Sequence, residues 1–95
     1  MVNEFEAQHL GKQIIRSGTA SSLLYGEAQG AISKKDFIHK ISLVLRELRE
    51  TQMNLRIIDD CKLMKDRDKL IPIKDENNQL IAIFIKTLQT ARMRG

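Results

Sequence analysis

The stretch "RSGTASSLLYGEAQGA", from Arg16 to Ala31, carries three glycines, three serines and no proline. Such a density of small residues first raises phosphate binding, in which backbone N–H groups cradle an anion. Gly18, Gly26 and Gly30 do not fit G-x-x-x-x-G-K-[ST], however, and no strand precedes them to present such a loop. The two histidines, His9 and His39, are 30 residues apart and belong to no H-x-x-x-H or C-x-x-C pattern, so no metal site is expected. Cys61 has no paired histidine signature, which leaves a structural or partly exposed thiol near a helix end. With no constellation of acid, base and nucleophile, neither catalysis nor a cofactor is expected. Arg16, Glu27, Arg49 and Glu50 favour ion pairs that set helix register over a site for an anion. What remains is a set of cations on one segment: Lys34, Lys35, Lys40, Arg46, Arg49 and Arg56. These are candidate contacts to nucleic-acid phosphates.

The elements that position these residues are helices. Ser33 followed by Asp36 has the form of a capping box, and Ile38, Ile41, Leu45, Leu48, Leu55 and Ile58 make one apolar stripe at helical spacing. This predicts a helix over about 34–60. A last helix over about 71–93 follows from Leu80, Ile81, Phe84, Ile85 and Leu88, with Pro72 confined to its first turn or just before it. The segment from Met64 to Leu70 is then a charged connection, and a strand over "KLIPIK" is the weaker alternative. The first helix covers about 4–29. Gly11, Ile14, Gly18, Ser21, Tyr25 and Ala28 form a line of mostly small residues along it, a seam that lets another helix approach closely. Interior glycines cost about 1 kcal/mol each relative to alanine, so this helix depends on its partners. Gly30 is placed at a left-handed helix cap.

The 95 residues support one domain, with a core drawn from Leu, Ile, Val and Met because only four aromatic residues are present. Hydrophobic and charged fractions of 42% and 29% match a folded chain. A net charge of +4 permits contact with nucleic acid without requiring it, since Glu47, Glu50 and Asp60 stand near Lys40, Arg46 and Arg56 at helical spacing. The single cysteine and the lack of a signal-like start point to a reducing, cytoplasmic setting. No apolar run approaches the roughly 20 residues of a membrane span.

The order of R-S-G-T, Y-G-E-A, S-K-K-D-F and R-E-T within "GKQIIRSGTASSLLYGEAQGAISKKDFIHKISLVLRELRETQMNLRIIDD" resembles the bacterial four helix bundle protein family, which includes the 23S rRNA intervening-sequence proteins. The later "ENNQLIAIFIKTLQTAR" resembles that family's last helix. The resemblance implies an all-α, antiparallel helical bundle of the four-helix-bundle type. It also implies a homo-oligomeric ring, commonly a pentamer. The family's association with intervening sequences of ribosomal RNA genes, and its structural similarity to accessory proteins of diversity-generating retroelements, imply contact with RNA or DNA.

Two departures from the family pattern stand out. Relatives carry a further amphipathic helix ahead of the segment matching Glu4 to Gln13. Either the sequence begins late relative to the family, or the chain folds with three helices and another chain covers the exposed groove. "ETQMNLR" also lacks the aromatic residue that many relatives place there. The expectation is a non-enzymatic oligomer associated with nucleic acid (RNA) or a ribonucleoprotein through its assembled basic surface. The alternative is a scaffold that holds a partner helix in its apolar groove.

Overall fold

A computed structural model describes residues 4–62 and 67–94. Among the described residues there are three helices and no strand: α1 (Glu4–Gln29), α2 (Lys34–Asp60) and α3 (Arg67–Met93). The protein is a rod of 52 × 19 × 15 Å with a radius of gyration of 15.3 Å. A compact chain of this length would have about 12 Å. Helix length sets the rod, because 27 residues at 1.5 Å each span about 40 Å.

The bounds of α1 and α2 are those the sequence predicts. Ser33 is extended at φ −142° and ψ 157°, and its Oγ accepts the Asp36 N–H at 3.1 Å, which satisfies one of the unpaired donors that open α2. α2 closes through Lys62, whose φ of 54° lies in the left-handed region and whose N–H reaches the Asp59 carbonyl at 3.1 Å. The expected left-handed glycine at the end of α1 is not found. No described glycine has positive φ, and the Gly30 N–H is instead shared between the Gly26 and Glu27 carbonyls at 3.3 and 3.2 Å.

α3 begins at Arg67, four residues before the expected Ile71, and Pro72 is its sixth residue rather than part of the first turn. The segment "KLIPIK" is thus helical, and residues 64–66 of the expected charged connection lie outside the described residues. The physical reason is Leu70. It is buried to 2% exposure, in step with Asn77, Ile81 and Leu88 at spacings of seven, four and seven. A fully buried leucine contributes about 1.5–3 kcal/mol, enough to offset much of the proline's cost so close to the helix end.

α2 packs against both neighbours. Its Ile41, Val44, Leu45 and Leu48 meet Ala28 of α1 and Ile81 and Leu88 of α3 in one core cluster. The order is antiparallel: Arg16 and Glu27 of α1 meet Glu50 and Lys40 of α2, while Gln52 and Asp59 of α2 meet Asn78 and Lys74 of α3. No Cα of α1 comes within 8 Å of a Cα of α3. Those two helices touch through side chains, as in the edge-on contact of the Tyr25 and Phe84 rings at 5.5 Å and 72°.

Candidate nucleic-acid interface

The six candidate cations of α2 do not form one patch. Lys35, Arg49 and Arg56 recur at multiples of seven residues and share one edge of the helix, with Arg46 three residues before Arg49. All four are exposed. The edge borders α3, because Gln52, between Arg49 and Arg56, donates from Nε2 to Asn78 Oδ1 at 2.9 Å. None of the four cations makes an ion pair among the described residues.

The other two cations go elsewhere. Lys40 lies on the α1 side, where its Nζ reaches Glu27 Oε1 at 3.4 Å. Lys34 donates to the Arg94 carbonyl just beyond the end of α3. Both are therefore engaged in holding helices together, and the candidate surface contracts to Lys35, Arg46, Arg49 and Arg56.

The acidic neighbours that the sequence places beside these cations are also committed differently. Arg16 of α1 takes Glu50 at 2.6 Å and Glu47 at 3.4 Å, so neither carboxylate pairs with Lys40 or Arg46 within α2. Arg16 further donates from Nε to Gln13 Oε1 at 3.3 Å. These cross-helix pairs set the register of α1 on α2, and with Arg16 half-exposed each contributes no more than about 1 kcal/mol. Arg49, placed with this group by the sequence, is outside it. Arg49 makes no ion pair among the described residues, which adds an exposed cation to the α3-side edge.

The small-residue line of α1 divides in the same way. Ala28 is in the core, Ile14 and Ser21 are half-buried, and the fully buried Ser17 replaces the glycines at the centre of the α1–α2 contact. A methyl group added at Gly11 or Gly18 would meet no atom within 4 Å, so neither glycine marks a close approach within the chain. Gly11, Gly18 and Tyr25 lie seven residues apart on one side of α1, and Tyr25 turns that side toward α3. Ile73 and Leu80 lie at helical spacing on the same side of α3 as Phe84, the partner of Tyr25, and are exposed to 44% and 37%. The seam read from the sequence thus borders an open trench between α1 and α3.

A cavity of about 300 Å³ opens between the second half of α2 and the first half of α3. Arg56, Lys74 and the amides of Gln52, Asn77 and Asn78 line it together with Met53 and Leu55. Asn77, only 6% exposed, donates from Nδ2 to the Leu48 carbonyl at 3.1 Å, and Lys74 is held by Asp59 at 3.0 Å. No spacing in the sequence brings this group together. Its one local signal was Asn77, a polar residue seven after Leu70 and four before Ile81, where the apolar repeat calls for a hydrophobe.

His9, His39 and Cys61 are exposed, and among the described residues no three His, Cys, Asp or Glu side chains converge as a metal site would require. No helix among them is long and apolar enough to cross a membrane.

Three antiparallel helices with a cationic edge and an open apolar side define a small all-helical protein. The family model described as 23S rRNA-intervening sequence protein matches residues 1–86, and the chain belongs to that family. No curated protein and no solved structure matches it.

Proposed function

We propose that this is a non-enzymatic, cytoplasmic, RNA-associated protein that acts as a homo-oligomer and contacts RNA phosphates through the edge of α2. The observation that carries the reading is the row Lys35, Arg46, Arg49 and Arg56, exposed and without ion pairs beside α3. Membership in a family named for an intervening sequence of ribosomal RNA supports RNA as the polyanion. One copy presents few charges. A ring, pentameric in the family the sequence resembles, would repeat the row and raise affinity through many weak phosphate contacts.

The trench between α1 and α3 supports the self-association. Gly11 and Gly18 leave room on one wall, and Ile73 and Leu80 offer apolar surface on the other. The three helices then occupy three corners of a four-helix arrangement, with a helix of another copy in the fourth. The same trench favours a second reading, a scaffold whose partner helix belongs to a different protein.

Titrating a fluorescent RNA in increasing salt tests the main reading. If the four cations of one copy each neutralise about one phosphate, log Kd changes with log salt at a slope of about 3–4. The double substitution Arg46→Glu, Arg49→Glu lowers that slope by about 2 and weakens binding to every RNA sequence alike. Binding unaffected by salt and by this double substitution would assign the protein to the scaffold reading.

A further inference from the structure

We infer that the cavity between α2 and α3 is a subsite for one unpaired nucleotide of a single-stranded RNA segment. The inference rests on the proposed RNA contact and adds to it a preference for unpaired bases.

Position is the first argument. Arg56 is both the last cation of the α2 edge and part of the cavity wall, so a backbone following Lys35, Arg46 and Arg49 is led to the opening. Arg56 makes no ion pair among the described residues, which leaves its guanidinium available to a phosphate.

Hydrogen-bonding chemistry is the second. Gln52 Nε2 and Asn78 Oδ1 satisfy each other at 2.9 Å. Gln52 Oε1 and the Asn78 amide nitrogen remain, an acceptor beside a donor, and an adjacent donor and acceptor is what a base presents on its pairing edge. Their mutual bond holds the two amides in place before any ligand arrives, which lowers the ordering cost of binding. Asn77 is fixed in the same wall by its bond to the Leu48 carbonyl.

Size and polarity complete the case. A volume of about 300 Å³ is at the lower end of ligand sites and suits a base with its ribose better than a larger cofactor. Met53 and Leu55 supply apolar surface for the face of a base, while the pairing edge meets the amides. Duplex RNA buries its pairing edges, so only an unstacked, unpaired base can use this arrangement.

Fluorescence anisotropy with three probes of similar length tests the inference: a single-stranded RNA, the same strand with abasic sites, and an RNA duplex. The intact single strand is expected to bind about tenfold more tightly than the abasic strand, within the range of one bidentate base contact. The double substitution Gln52→Ala, Asn78→Ala removes that preference and leaves the salt slope unchanged, whereas Arg46→Gln weakens intact and abasic strands equally. Equal binding of intact and abasic strands, or a preference that survives the amide substitutions, overturns the subsite while leaving the phosphate contact standing. Absence of binding to all three probes overturns both readings. Should the amide variant fail to fold, the unmodified protein is titrated with uridine and adenosine 5′-monophosphate by NMR. Shifts centred on the side-chain amides of Gln52, Asn77 and Asn78 support the subsite, and none at millimolar ligand overturns it.

Discussion

At the scale of single residues, side chains that look equivalent along the chain separate by partner. Lys40 and Arg49 are both cations of α2, yet one faces Glu27 and the other makes no ion pair among the described residues. Gly18 shows the same principle in packing. It resembles a contact glycine, but a methyl group there would touch nothing within 4 Å in one copy. Because its backbone is helical, Gly18→Ala is expected to stabilise the isolated chain by about 0.5–1 kcal/mol, raising the midpoint of thermal unfolding in dilute solution by roughly 4 °C. If a second copy sits against the glycines, the same substitution also shifts the mass measured by light scattering at high concentration toward the monomer. Circular dichroism and scattering on one sample read both effects.

At the scale of elements, local chemistry and core packing compete to set helix ends. The start of α2 is local: Ser33 bonds to Asp36 N in the manner its spacing suggests. Ser33→Ala removes that bond and is expected to cost about 1 kcal/mol, measurable in chemical denaturation as a lower midpoint with an unchanged slope. The start of α3 is not local. Pro72 signals a boundary, but the burial of Leu70 carries the helix back to Arg67. The end of α1 falls at Gln29, where the sequence puts it, although Gly30 does not use glycine's left-handed freedom. One of these three termini therefore departs from its local signal, and in α3 the overriding term is the burial of a leucine at the right heptad spacing.

At the scale of the whole molecule, α1 and α3 flank the central α2, each helix about 40 Å long, and leave one side unfinished. α1 and α3 meet through the Tyr25 and Phe84 rings while no pair of their described Cα atoms comes within 8 Å, and Leu80 is exposed four residues before Phe84. Placing a charge in an apolar contact costs several kcal/mol, whereas on a solvated surface it costs little. If copies associate through the trench as proposed, Leu80→Glu is expected to shift the mass toward the monomer in sedimentation or light scattering while helix content is kept. An unchanged mass would show that the trench is not where copies meet. The basic row lies on the α2 edge beside α3, so this variant also separates assembly from the local phosphate contact.

Periodicity and capping made the three helices and most of their bounds legible, because apolar spacing and an N-cap act within a few turns of chain. The motifs "RSGT", "YGEA" and "SKKDF" likewise made the family legible. Which cations remain unpaired was not, since Arg16 reaches Glu50 across 34 residues of sequence and thereby alters the balance along α2. Nor was the cavity, whose Gln52 and Asn78 are 26 residues apart and meet only when α3 folds back antiparallel on α2. Local chemistry is written in neighbouring residues. The charged edge, the amide-lined cavity and the open trench belong to pairs of helices, and only their packing could decide which side chains meet and which remain available.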